Sequence, residues 1–536
     1  MKLSRLKVEN YKRLQDLDIE VRDHLVLVGA NDVGKSSLLR CLDLVLGAST
    51  AQLYSNLGVD DLRDAAQPLV VEVMLVDFSS DEQALFADEI EVDAQTGNLS
   101  LLVRLTVDAD ENESISITRT APASGTSRQL SRDQLEGLGW KFLSATAQTR
   151  DLRDGRRSPV DDLLANVVLG GEASAFEAAA KEFQAALDGS GVLGGLRVDL
   201  SGQLSRALPK EVEPADLSFV SSASATEDVL SDVRLQVLKD GVPRNLSEQS
   251  DGSRALYAIA LYDLMSVGSN LVGIDEPEVH LHPTSQRSLA RLLREGANQK
   301  IIATRSPDIV GAFDPNLIVV VKAGGSVVQP KSGFMSGDER MFVRWWVRDK
   351  LEPLTAQRVV AVEGISDRII LERSAELTNR SLDRLGISVL EVGGAGEMGP
   401  VDKLFGPNGF DVPMTLLIDD DAAADTAAKL GVEAADLADH SVWVSVADLE
   451  DEYVQALGHD RVWSALESSG QFSRAHLANC AASGDGGVRT AADVAAFCRR
   501  KSDYKVRAAL SVAAVLTKDD VASIQSIEKL LTEIAS

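Results

Sequence analysis

Cysteine is scarce. Cys41, Cys480 and Cys498 lie scattered through 536 residues, which gives neither a disulfide framework nor the ligand spacing of a zinc site. No apolar run reaches the roughly 18 residues that a membrane span requires. The opening stretch Met1-Lys2-Leu3-Ser4-Arg5-Leu6 lacks the core of a signal peptide. A cytoplasmic protein with no membrane partner is the expectation. Positive charge is also short: 54 lysines and arginines stand against 82 aspartates and glutamates, a net charge of −28. Blanket binding of nucleic acid by the whole surface is thereby excluded, since neutralising phosphates needs lysine and arginine. A local basic groove is still allowed. Arg150, Arg153, Arg156 and Arg157 cluster with only Asp151 and Asp154 opposing them, compatible with a solvated loop or a DNA contact.

What is present is an ordinary globular balance, 44% hydrophobic and 25% charged, in a chain long enough for about three domains. Strand-like alternation occupies Leu3 to Val8 and Asp16 to Val21, and Leu25-Val26-Leu27-Val28 is apolar throughout. Further strands are predicted over 68–78, 99–107, 233–237, 271–275, 300–304 and 317–322, with helices over 246–265 and 284–294. An alanine-rich helical run, Ala173 to Leu187, is broken by Gly189 to Gly195. Near Pro353 a second α/β pattern begins, with strands predicted at 359–362, 389–392, 415–418 and 442–446, and helices to the end.

Gly29-Ala30-Asn31-Asp32-Val33-Gly34-Lys35-Ser36 is a complete phosphate-binding loop between an apolar strand and a helix. Its glycines let backbone N–H groups wrap phosphate oxygens at the helix N-terminus. Asn31, Gly34, Lys35, Ser36 and Ser37 are the expected ATP contacts, with Lys35 reaching the β- and γ-phosphates and the Ser36 hydroxyl holding Mg²⁺. The strand Leu271-Val272-Gly273-Ile274 ends in Asp275-Glu276, which puts Asp275 near that ion and Glu276 where it could polarise water.

The continuation Pro277-Glu278-Val279-His280-Leu281-His282-Pro283 resembles the Walker B region of the OLD-type ABC ATPases, relatives of the SMC and RecF proteins. Upstream, Leu246 to Arg254, including Ser250 and Gly252, is similar to that family's ABC signature. In such ATPases the signature closes over the γ-phosphate from the opposite subunit, which implies a homo-oligomer, dimer or tetramer, formed through the ATPase domain. One departure stands out. The family's Thr-His-Ser-Pro string is Thr304-Arg305-Ser306-Pro307 here. Arginine can contact phosphate bidentately but cannot shuttle a proton as histidine does, which points to slow hydrolysis or ATP used mainly as a switch.

In the second α/β pattern, Val359-Val360-Ala361-Val362 ends in Glu363-Gly364, with Asp367 one turn into the next helix. About 55 residues later, Thr415-Leu416-Leu417-Ile418 ends in Asp419-Asp420-Asp421. Carboxylates converging at the carboxyl ends of parallel strands repel one another unless a cation neutralises them, and Mg²⁺ suits oxygen-only ligands. This ordered pair resembles the Toprim domain of topoisomerases, primases and OLD nucleases. Carried over, Glu363, Asp367, Asp419 and Asp421 are the expected metal ligands, with Asp420 pointing elsewhere. In Asp448-Leu449-Glu450-Asp451-Glu452, Glu450 matches the family's later acidic motif, Asp451 or Glu452 being substitutes and an acidic helix start the plain alternative. The family's transition-state lysine falls in Arg499 to Arg507, with Lys505 preferred and Lys501 the alternative. Mn²⁺ or Ca²⁺ would also suit the Toprim site.

The expected fold is α/β: an SMC/RecF-like ABC ATPase over 1–350, with a helical dimerisation insertion at about 150–215, then a Rossmann-like Toprim domain and C-terminal helices over 351–536. The resemblance implies an ATP-regulated, metal-dependent DNA endonuclease acting by two-metal hydrolysis. In that reading Glu276, Glu363 and Lys505 serve catalysis. Because the family includes the nuclease subunit of the Gabija anti-phage system, it also implies a role in bacterial defence with a helicase-like or other partner. The competing reading is an ATP-gated scaffold or sensor whose Toprim fold is structural. A topoisomerase would need a tyrosine nucleophile in an additional domain, and none is evident.

Overall fold

The computed structural model describes residues 1–110, 114–122, 128–143, 169–198, 213–216, 236–239, 242–245, 270–279, 281–296, 298–335, 351–392 and 398–535. The chain forms two compact units, one made of Met1–Gly137 with Gln299–Ser536 and the other of Leu138–Asn298. Each is described by itself.

In the first unit, β2 (Leu17–Glu20) alternates buried and exposed positions, as a strand covered on one face must, and β1 (Lys2–Glu9) places Leu3, Leu6 and Val8 on the buried face with a register shift between Leu3 and Arg5. β3 (Leu25–Val28) is buried at every position and feeds the loop that opens α1 (Lys35–Leu46). β4 (Leu69–Val76), β5 (Leu99–Ala109) and β6 (Ile115–Ala121) extend β1 and β2 into an antiparallel sheet in the order β2-β1-β4-β5-β6. Leu6, Val73 and Val103 stack across its register on the buried face.

In the second unit, β7 (Trp140–Leu143), α2 (Ala173–Gly189), β8 (Leu271–Asp275) and α3 (Pro283–Glu295) are the main described elements. β7 and β8 run parallel, and a Cβ on Gly273 would stand 2.6 Å from the Trp140 ring, so this position has room only for glycine. The strand predicted at 233–237 is observed as Gln236–Lys239, paired with Val242–Asn245 in a hairpin. The arginine cluster at 150–157, the helix predicted at 246–265 and the signature residues Ser250 and Gly252 lie outside the described residues.

The chain re-enters the first unit at β9 (Gln299–Thr304), and with β10 (Ile318–Val321) it flanks β3 in parallel on both sides. A second sheet follows: β11 (Arg358–Val362), α4 (Ile365–Leu377), β12 (Ile387–Glu391), β13 (Met414–Ile418), α5 (Asp420–Leu430) and β14 (Val442–Val444). Its four strands are all parallel in the order β12-β11-β13-β14. β14 stops two residues short of the predicted Val446, because the Val446 N–H is taken by the Glu452 carboxylate at 2.9 Å.

The C-terminal segment is helical: α6 (Leu449–Leu457), α7 (His459–Ser468), α8 (Ala491–Cys498), α9 (Ser502–Val515) and α10 (Gln525–Ala535). One core joins this bundle to the sheet, with Val360, Val362, Leu371, Tyr453, Val512 and Leu530 all buried within it. Glu533 of α10 also ties the sheet down, accepting from Arg358 at 2.8 Å, Ser441 at 2.7 Å and the Trp443 indole at 2.7 Å. The α/β class with a second, all-parallel sheet and terminal helices is therefore the architecture the chain adopts. Among the described residues, no helix is long and apolar enough to cross a membrane.

Candidate functional site

The loop after β3 is shaped by two glycines. Gly34 adopts φ 119°, and a Cβ there would lie 2.5 Å from Leu14; one on Gly29 would lie 2.4 Å from the Val321 carbonyl. Gly34 also opens α1, whose first turn holds no acidic residue, so its N–H groups present positive potential to an anion. Lys35 is buried, with its ammonium donating to the carbonyls of Gly29 at 2.9 Å and Ala30 at 2.7 Å. Ser36 is exposed and Ser37 half-buried beside it. After β9, Arg305 reaches across to donate to Asn31 Oδ1 at 3.4 Å, while Ser306 caps the next helical turn through Ile309 N–H at 3.2 Å. The arginine that replaces the expected histidine therefore points at the phosphate loop.

In the second unit, Asp275 is the last residue of β8, and Glu276 follows in the left-handed region at φ 43°. That conformation is uncommon for a side chain with a Cβ and concentrates at functional positions. The Glu276 carbonyl closes the turn by accepting from Val279 N–H at 3.2 Å.

The second sheet gathers its carboxylates at the carboxyl ends of β11 and β13 and at the start of α6. Glu363 accepts from Asp419 N–H at 3.0 Å, which locks the two strand ends together. Asp367 is buried and caps its own helix through Gly364 N–H at 2.9 Å. Burial first, and then the charge of Asp419, lifts the Asp367 carboxyl to about 7. Burial likewise raises Asp419 to about 6, with Lys505 opposing the rise and Glu363 adding to it. Glu450 is almost fully buried and is also raised by burial. Lys505 of α9 lies between them, its Nζ 3.5 Å from Asp419 and 3.3 Å from Glu450. Burial alone would lower the Lys505 ammonium, but Glu450, Asp419 and Asp367 outweigh it and raise it.

Not every expected residue joins this group. Asp421 is exposed on the first turn of α5, as is Asp420. Asp451 pairs with Arg499, and Glu452 is spent on Val446 N–H and on the Ser526 hydroxyl at 2.7 Å, so of the three acids Glu450 is the one facing Lys505. Lys501 is exposed, 5.9 Å from the Tyr504 ring. Two residues went unassigned in the sequence. Asp448 caps α6 through Asp451 N–H at 2.8 Å, and Arg499 clamps both Asp448 and Asp451. The capping spacing of Asp448 was visible; the partner of Arg499, far along the chain, was not.

An oxygen-only donor set suits a hard divalent cation. Glu450 Oε2 supports that fit, being buried without a hydrogen bond although Lys505 stands near it. Among the described residues, no three ligand-type side chains stand tightly enough to enclose an ion as they lie.

Residues 25–311 match the family model described as "AAA domain, putative AbiEii toxin, Type IV TA system". Residues 354–421 match "Overcoming lysogenization defect protein-like, TOPRIM domain". The chain is similar to the Endonuclease GajA of Bacillus cereus (strain VD045), 20% identical over 434 residues that cover 74% of this chain and 71% of that one. It is also similar to the OLD nuclease of Thermus scotoductus, 23% identical over 459 residues, covering 78% and 82%. Of solved structures, the C-terminal region of the Burkholderia pseudomallei OLD protein is 28% identical and covers 33% of this chain and 96% of its own, with a TM-score of 0.28.

Proposed function

The chain belongs to the AAA-domain family through residues 25–311 and carries an OLD-like TOPRIM domain behind it, and on that premise we propose that it is an ATP-regulated, metal-dependent DNA endonuclease. The observation that carries this reading is the meeting of Glu363, Asp367, Asp419 and Glu450 with Lys505 at the carboxyl end of a parallel sheet. The endonuclease and nuclease named among its relatives support it.

Glu363, Asp367, Asp419 and Glu450 would hold divalent metal, Mg²⁺ foremost with Mn²⁺ or Ca²⁺ as substitutes, and Asp421 would join from the rim. Metal bound there supplies charge neutralisation and an activated water for phosphodiester hydrolysis. The chain's own contribution is positioning. Glu363 and the Asp419 amide fix two strand ends against each other, and Arg499 pairs with Asp448 and Asp451, offsetting their negative charge beside the cluster. Lys505, kept charged by its acidic neighbours, presents an ammonium to the phosphate as negative charge develops. In the ATPase, Lys35, Ser36, Ser37, Asn31 and Arg305 would grip the triphosphate of Mg²⁺-ATP, while Asp275, Glu276, Ser250 and Gly252 keep the roles that their own sequence motifs imply. We take 1–350 as the ATPase and 351–536 as the nuclease. Work in bacterial defence, in the cytoplasm and beside a helicase-like partner, is part of the same proposal and rests on the family resemblance of the sequence motifs. Self-association through the insertion is supported by α2, a helix of 17 residues with none buried.

The test is cleavage of supercoiled plasmid with Mg²⁺ or Mn²⁺, with and without ATP, by wild type and Glu363→Ala. Metal-dependent nicking that the substitution reduces by at least about a hundredfold is expected, with ATP binding retained. Equal nicking by both proteins would remove Glu363 from the site. An inert wild type across plasmid and phage DNAs would favour the scaffold reading.

A further inference from the structure

The first unit contains a cleft of about 680 Å³ that the nuclease chemistry does not use. Its walls come from both sheets: Ala30, Asn31 and Arg305 on the phosphate-loop side, and Arg368, Ser388 and Glu391 on the side of β11 and β12. The volume is in the range of small-molecule sites. It also starts at a defined place on the loop. Gly29 and Ala30, whose carbonyls hold the Lys35 ammonium, line it, so the cleft opens at the end of the loop where a terminal phosphate meets that lysine.

Arg368 faces this opening from the other wall. It sits in the first turn of α4, donating to Glu372 at 2.7 Å and to Glu391 at 3.1 Å, and its side chain is 42% exposed. Pairs this exposed are weakly held, whereas guanidinium and phosphate match bidentately. The residue immediately before it is Asp367, a member of the carboxylate cluster.

We propose that this cleft is a nucleoside-triphosphate site shared between the two sheets, in which Arg368 leaves Glu391 to bind the terminal phosphate opposite Arg305. The site therefore distinguishes triphosphate from diphosphate through a residue outside the ATPase sheet. Glu391 is the competitor that holds Arg368 when no phosphate is present.

The inference rests on the ATP-binding part of the proposed function and not on the nuclease part. Calorimetric titration of the full chain with Mg²⁺-ATP and Mg²⁺-ADP tests it in wild type, Arg368→Ala, Arg368→Lys and Glu391→Gln. Arg368→Ala is expected to weaken ATP about tenfold and leave ADP nearly unchanged, since a charge-assisted bond is lost for the triphosphate alone. Arg368→Lys should recover part of the loss, and Glu391→Gln should tighten ATP by freeing the arginine. Equal ATP-to-ADP affinity ratios in wild type, Arg368→Ala and Glu391→Gln would overturn the assignment. Parallel loss of both nucleotides in Arg368→Ala, with Glu391→Gln unchanged, would also overturn it and reveal a folding role. Plasmid cleavage is read separately: a chain that cuts nothing but shows the Arg368-dependent ratio keeps this inference and loses the nuclease.

Discussion

Asp367 is a buried carboxyl beside another carboxyl, and its proton is held to about 7. An unfolded aspartate releases its proton near 3.9. Between those values the folded chain binds more protons than the unfolded one, so this residue's contribution to stability falls as pH rises through the window. Asp367→Asn should therefore raise the melting temperature of the metal-free protein at pH 8 by roughly 2–4 °C. The gain should shrink at pH 5, where Asp367 is already protonated, and added Mg²⁺ should narrow it at pH 8 by neutralising the cluster. A melting difference independent of pH and metal would mean that burial and Asp419 do not raise the Asp367 carboxyl. At this scale the sequence was readable where a residue's role follows from its strand: Glu363 and Asp419 each end an apolar run. Within Glu450, Asp451 and Glu452 only the family resemblance favoured Glu450, and composition and spacing did not separate the three, because consecutive residues in a helical turn face different directions. Only the packed structure gives one to Lys505, one to Arg499 and one to Ser526.

Among elements, the loop between β3 and α1 depends on a backbone conformation that other residues resist. Gly34→Ala places a methyl against buried Leu14 at a φ of 119°, at a cost of about 1–3 kcal/mol. The expected outcome is a lower melting temperature and ATP binding reduced by at least about tenfold, measured by thermal denaturation and nucleotide titration. Undiminished ATP binding would show that the loop tolerates another shape. β3 and β10 were legible because they are apolar throughout, as buried parallel strands are, and β9 through its apolar centre Ile301-Ile302-Ala303. β6, with the sequence Ile-Ser-Ile-Thr-Arg-Thr-Ala, and β7, only four residues long, carried too little hydrophobic signal and were identified only by their pairing partners.

On the scale of the whole molecule, α2 exposes Phe176 at 41% and Phe183 at 55%, seven residues apart and hence on one side of the helix. Large side chains so exposed favour burial against another surface. Replacing both, Phe176→Glu with Phe183→Glu, should shift the sedimentation coefficient towards that of a single chain. An unchanged coefficient would exclude this helix from the interface. The helical character of this stretch was legible from its alanines; which surface covers it is not a property that one chain's periodicity encodes.

The discontinuous make-up of the first unit has a consequence for biosynthesis. β3 leaves the ribosome early, yet both strands that flank it, β9 and β10, lie beyond residue 298. At about 5–20 residues per second, roughly 15–60 seconds of translation separate the loop-bearing strand from its neighbours. Until they emerge, its four apolar residues have no parallel partners, and the strand is open to pairing elsewhere. A polypeptide cut short before β9 would thus carry the complete phosphate-loop sequence and be unable to build the sheet that shapes it.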